Sequence, residues 1–274
     1  MHRGRVALLI GVVSTVACVA AIACTSVSTD PDTVVAVRFD GSAYPSIVVG
    51  DSLRDSLGAL QPIRATGLNY RGDAVEGAGF VFSSPDTNLR VFTLGSDGMA
   101  FARSRKTDAT PARIFATVGS LQSQPDSLLI VVRADSLKAA VDVDTFNVAA
   151  NNRSTTGDSL IQFTVFGDTV PLAPKLAVPG WLVSFQLLYH GALLPSTDTS
   201  TAYTYVITGT GANSSLKPTF VDSTDAAGRV GRGVAVRAVR AGASEDTIFV
   251  IATSRARKAG VAPISDTTML VLRR

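Results

Sequence analysis

The chain has 274 residues, 46% hydrophobic and 17% charged, with a formal net charge of +3; that length suits one large domain or two of ordinary size. Its basic residues are scattered, with a few local clusters such as Arg103-Ser104-Arg105-Lys106 and Arg255-Ala256-Arg257-Lys258. None forms a block able to track a phosphate backbone, which excludes nucleic acid as a partner. The two cysteines, Cys18 and Cys24, lie in the N-terminal apolar run. An internal disulfide or a Cys-based metal site is therefore excluded from everything that follows, and no cofactor is expected.

Residues 1–23 start with the basic Met-His-Arg-Gly-Arg, continue through an apolar run from Val6, and end in small residues before Cys24. That layout predicts a secretory signal, and its removal with two arginines leaves a net charge of +1. Ala21-Ile22-Ala23-Cys24 resembles a bacterial lipobox, with Ala21 where that family usually has Leu. The resemblance implies lipidation at Cys24. It also implies the outer membrane as destination, because Thr25 rather than Asp follows the cysteine. Residues 24–32 are a polar tether with one proline. Three alternatives stand beside this reading: cleavage at Ala21-Ile22-Ala23 with full secretion or periplasmic release, an uncleaved membrane anchor, and modification at Cys18.

From residue 33 onward the apolar residues alternate or come in short runs bounded by Gly, Pro, Asn and Asp, which predicts strands rather than helices. Val35, Val37 and Phe39 make the first strand, and Ser46–Val49 the second. Asp55–Leu60 has no strand pattern and admits an extra turn of helix. Strands follow at Pro62–Leu68, Gly79–Phe82, Leu89–Leu94, Met99–Ala102, Ala112–Val118 and Ser127–Arg133, with turns at Asn69–Asp73 and Gly95–Gly98. The number and spacing suit an immunoglobulin-type sandwich. The landmarks Val48-Val49-Gly50-Asp51-Ser52-Leu53, Gly77–Ser84, Gly95–Ala100 and Ala112–Thr117 resemble those of bacterial Ig-like (Big, invasin-like) domains. Phe82 stands where that family has a core Trp, and Asp55–Gln61 departs from the pattern.

The second half repeats the grammar. Leu160–Phe166, Trp181–Tyr189, Tyr203–Thr208, Gly233–Val239, Asp246–Ala252 and Thr268–Leu272 are predicted strands. Asp222–Val230 resembles the turn of invasin-like domains, and the proline-bearing Leu172–Gly180 reads as a loop. The fold class expected is all-β: a signal segment (1–23), a tether (24–32), and two tandem immunoglobulin-like sandwiches, 33–134 and 135–274. A short linker near Ala134–Asp142 would join them.

Gly50-Asp51-Ser52-Leu53 and Gly157-Asp158-Ser159-Leu160 spell the motif of GDSL hydrolases, whose serine needs a base and an oxyanion hole. His190 is the one histidine after the signal segment, with no Asp three residues before it. Asp-Ser-Leu also recurs at Asp55, Asp126 and Asp135. The repeated triplet reads as turn-to-strand chemistry, in which Asp and Ser bond the turn and Leu starts the buried face. No catalytic residue is assigned. Arg71-Gly72-Asp73 matches an integrin tripeptide but is also ordinary turn composition. Asp142 and Asp144, or Asp222 and Asp225, supply too few oxygens for Ca²⁺ from one segment, and His190 alone makes no zinc site. The chain is expected to be a non-catalytic, lipid-anchored envelope protein with a structural or adhesion-like role toward an envelope or surface protein or a glycan. The alternative is a carbohydrate- or polymer-binding module, with Trp181, Phe185, Tyr189, Tyr203 and Tyr205 as candidate platform residues, of which Trp181 and Phe185 sit in apolar strands and are expected to fill the core.

Overall fold

The computed structural model describes residues 28–42, 44–85, 92–104, 110–147, 160–167, 175–194, 205–207, 219–236, 242–254 and 262–273. Strands and turns account for all regular structure among them, as the short alternating runs require. The first half holds β1 (Ala36–Phe39), β2 (Ser46–Val48), β3 (Ala65–Leu68), β4 (Ala74–Val75), β5 (Val81–Ser83), β6 (Phe92–Leu94), β7 (Ala100–Ala102), β8 (Ala112–Val118), β9 (Leu121–Gln122) and β10 (Asp126–Val131). The second holds β11 (Ser136–Ala139), β12 (Val143–Asn147), β13 (Leu160–Gly167), β14 (Leu176–Ala177), β15 (Leu182–Tyr189), β16 (Ala192–Leu193), β17 (Tyr205–Ile207), β18 (Thr219–Ser223), β19 (Arg229–Val236), β20 (Glu245–Ser254) and β21 (Ile264–Arg273).

Strand pairing changes partners between Val131 and Ser136. Before that point β1-β3-β4 forms one sheet and β2-β10-β8-β5 the other, with the β6-β7 hairpin beside Asp51 and Leu53. After it the sheets are β11-β13-β19-β17 and β12-β21-β20-β15-β16, with β18 also on β15. Both halves open in the same way. The first strand pairs antiparallel in one sheet (β1 with β3, β11 with β13), and the chain then crosses to pair parallel with the last strand of the other sheet (β2 with β10, β12 with β21). Two sheets stitched by a sheet-switching first strand make each half an immunoglobulin-like sandwich.

Period-2 alternation sets which faces are buried. In β20 every second residue from Asp246 to Ser254 is buried, and Ile248, Val250 and Ala252 meet Trp181, Phe163 and Phe185 in the second core. Phe163 and Phe185 pack edge to face at 5.8 Å. The first core is smaller, built on Ile47, Leu53, Ile63, Ile114 and Leu128, with Phe82 half-buried against it.

The observed chain departs from the sequence expectations at three places. Asp55–Leu60 is no helix: Asp55 Oδ1 accepts the amides of Leu57 (2.8 Å) and Ala59 (2.9 Å), Gly58 takes φ 87°, and Arg54 bridges to Leu60. The stretch is thus a looped excursion within a strand. The segment read as a linker carries β11, with Ala134, Leu137 and Ala139 buried. Leu172–Gly180, read as a loop, contains β14, which pairs with Phe166 and Gly167.

Candidate functional site

The copies of Asp-Ser-Leu show what the motif does. Asp51 accepts the Ser52 amide at 2.8 Å, and Asp126 accepts the Ser127 amide at the same distance. Leu53, Leu128 and Leu137 are all buried. Ser52 lies in a bridge to Phe101. Its neighbour Asp51 is committed to two cations, Arg54 at 3.1 Å and Arg133 at 3.2 Å. Burial pushes the Asp51 carboxyl upward, but the bonds from the Ser52 amide, Arg54 and Arg133 outweigh that and hold it below its ordinary value. Ser159 lies outside the described residues.

His190 sits in the turn between β15 and β16 with φ 49°, in the sandwich that does not contain Ser52. Its Nε2 is 3.4 Å from the buried carboxylate of Asp246, which also accepts the Tyr189 hydroxyl at 2.7 Å. Arg71-Gly72-Asp73 occupies the exposed β3–β4 turn. Asn69 shapes it by accepting the amides of Arg71 (2.9 Å) and Asp73 (3.0 Å), with Gly72 at φ 85°. Asp225 builds the β18–β19 turn alike, accepting the amides of Ala227 and Arg229. Asp222 pairs instead with the buried Arg232. Asp144 accepts the amide of Thr145, and the Asp142 carbonyl that of Met269. Among the described residues no group of three or more His, Cys, Asp or Glu could hold a metal ion.

Of the platform aromatics, Trp181 and Phe185 are core residues, 0% and 1% exposed. Trp181 donates its indole N–H to the buried Ser254. Tyr189 is half-buried. Tyr203, the side chain of Tyr205, and Cys24 lie outside the described residues. No helix among the described residues is long and apolar enough to cross a membrane.

The structure adds a joint between the sandwiches and a groove beside it. Tyr44 is buried against Trp181, ring centroids 6.0 Å apart and nearly perpendicular, and its hydroxyl accepts the Leu182 amide at 2.6 Å. Ser46 donates to the Gly180 carbonyl at 2.9 Å. Val48, Val131 and Val132 extend into the second core. Beside this joint Tyr44, Ser56 and Leu57 of the first sandwich face Leu182, Ser184, Val221 and Thr253 of the second around a cavity of about 290 Å³. It runs into a hollow of about 570 Å³ along β15 and β18, lined also by Gln186, Thr219 and Phe220. Leu57 is 72% exposed, the exception among the described Asp-Ser-Leu copies. Hydroxyls, an amide and apolar surface line the groove, and none of these side chains titrates as a carboxylate or imidazole would. It can hold a neutral polar chain by hydrogen bonds and apolar contact. Sequence reasoning missed it because its two walls are over a hundred residues apart. The one local trace was that Ser56 and Leu57 fall in a stretch without strand pattern.

No protein-family model and no curated protein matches the chain. Solved structures similar to it include the adhesin InvE of Yersinia pseudotuberculosis (14% identity, TM-score 0.31, 84% of this chain and 55% of that one). Others are mouse cadherin-23 EC22-24 (15%, TM-score 0.24, 87% and 64%) and human mucin-like protocadherin EC1-2 (8%, TM-score 0.27, 86% and 97%). This chain thus spans about half the length of the adhesin. At these TM-scores the superpositions are loose, and the sandwich assignment rests on the strand pairing itself.

Proposed function

We propose that the chain is an exported, non-catalytic envelope protein, held to the outer membrane by a lipid on Cys24, that presents two sandwiches (33–134 and 135–274) for contact with another envelope or surface protein. The observation that carries the reading is the joint. Tyr44–Leu182, Ser46–Gly180 and the shared valines couple the sandwiches into a stiff spacer, which suits display better than turnover. The groove at Leu57 is the surface assigned to the partner. Catalysis at Ser52 is disfavoured because Asp51 is spent on arginines and His190 belongs to the other sandwich. The expected behaviour is metabolic labelling by a fatty-acid analogue in wild type and none in Cys24→Ser. Release of unlabelled protein into the medium would refute the anchor, and a short-chain esterase activity lost in Ser52→Ala would refute the non-catalytic assignment.

A further inference from the structure

We propose that the Tyr70–Asp73 turn is the membrane-facing tip of the protein, and that Tyr70 and Arg71 touch a zwitterionic phospholipid surface; this rests on the Cys24 anchor proposed above. The chain enters the first sandwich beside this turn, since Asn69 donates its side-chain N–H to the Pro31 carbonyl at 3.0 Å and Val35 bonds Leu68 at 2.8 Å. From there β1 runs away from the entry and β3, antiparallel to it, returns to it. β10, parallel to β2, leaves at the opposite end, where the joint lies. In the second sandwich β15 runs the same way as β21, so its His190–Gly191 turn is at the distal end of the molecule.

Cys24 stands four residues before Ser28, the first described residue. Four residues span at most about 14 Å when fully extended. A lipid on Cys24 therefore holds the Asn69 end close to the bilayer and leaves the His190 end pointing away. The side chains at that end suit an interface. Tyr70 is exposed, and Arg71 lies across its ring, 5.1 Å from the centroid, with Nε donating to the Tyr70 hydroxyl at 2.6 Å. A tyrosine with a stacked guanidinium presents an apolar ring and phosphate-binding donors together. Exposed carboxylates flank it along the chain: Asp73 in the turn, Glu76 just past the strand that leaves it, and Asp30 and Asp32 on either side of Pro31, whose carbonyl bonds Asn69. Four negative charges against one positive one are repelled by an anionic surface within a Debye length of about 8 Å, which selects the zwitterionic one.

The test uses the lipidated protein in vesicles carrying a headgroup-level quencher, with a fluorescent label on Ala74→Cys beside the tip or on Ala192→Cys at the distal turn. Mass spectrometry of the same sample reads the lipid on Cys24. In zwitterionic vesicles the label at position 74 should be quenched several-fold more than that at 192. Quenching at 74 should weaken when anionic lipid is mixed in, and recover in about 1 M salt, where screening acts within about 3 Å. Adding Tyr70→Ser and Arg71→Ser to Ala74→Cys should reduce the quenching. Equal or reversed quenching in a protein shown to be lipidated would overturn the orientation alone. Quenching unchanged by the tip substitutions, or strengthened by anionic lipid, would overturn the contact. A sample without lipid on Cys24 would overturn the anchor and the proposal together.

Discussion

Tyr44→Phe tests the joint with the least disturbance. The substitution keeps the buried ring against Trp181 and removes one oxygen, the acceptor of the Leu182 amide at 2.6 Å. Tyr44 is 2% exposed, but it and the partly buried Leu182 border the groove, so water replaces part of the lost bond. Losing one net hydrogen bond there should cost about 0.5–1.5 kcal/mol. Tyr44→Ala also removes the ring and should cost about 3–5 kcal/mol. The chain has a single tryptophan, and it packs on Tyr44. Urea unfolding followed by Trp181 fluorescence therefore reads the joint directly. Ser46→Ala removes the second bond across the joint, to the Gly180 carbonyl, and should cost about 1 kcal/mol. Because both bonds hold the Gly180–Leu182 segment, the double variant should depart from additivity by about 0.5 kcal/mol or more. Tyr44→Phe within about 0.5 kcal/mol of wild type, the range of an ordinary surface change, would refute the claim that this hydrogen bond couples the sandwiches.

In the Gly-Asp-Ser-Leu stretch, Leu53→Ala should cost about 2–5 kcal/mol for a fully buried leucine. Ser52→Ala should cost at most about 1 kcal/mol; thermal unfolding distinguishes the two. The Asp51 carboxyl is lowered from 3.8, burial being outweighed by its bonds to the Ser52 amide, Arg54 and Arg133. Its stabilisation is present above the unfolded value and lost as pH falls through the folded one. Urea midpoints should thus drop below about pH 4, and Asp51→Asn, costing about 1.5–3 kcal/mol near neutrality, should flatten that fall. Gly228→Ala should destabilise by more than about 1 kcal/mol: φ is 69°, and the new Cβ would meet the Val165 carbonyl oxygen and the Val178 nitrogen, both at 2.9 Å. A Gly228→Ala protein as stable as wild type in a melting experiment would contradict that crowding.

The all-β architecture is legible in the sequence because a strand buried on one face alternates every second residue, and β8, β15 and β20 do so along their lengths. The turns are equally local. Asn69, Asp97 and Asp225 bond amides two residues ahead, and glycine follows at the left-handed position. The sheet-switching β11 and β12 escaped notice because Ser136–Ala139 lies in the stretch that reads as a linker, and Val143–Asn147 is too short and polar to stand out as a strand. They are strands because β13 and β21 offer them unpaired edges. Among the aromatic candidates for a binding platform, the apolar character of their strands pointed Trp181 and Phe185 to the core, and both face inward against the opposing sheet. The groove was decided by tertiary structure alone. Leu57 stays exposed because Asp55 bends the chain out of its strand, and the wall opposite comes from Leu182, Ser184 and Val221. A period of two records which face of a strand is buried, but it holds no term for which two surfaces meet when one sandwich is docked on another.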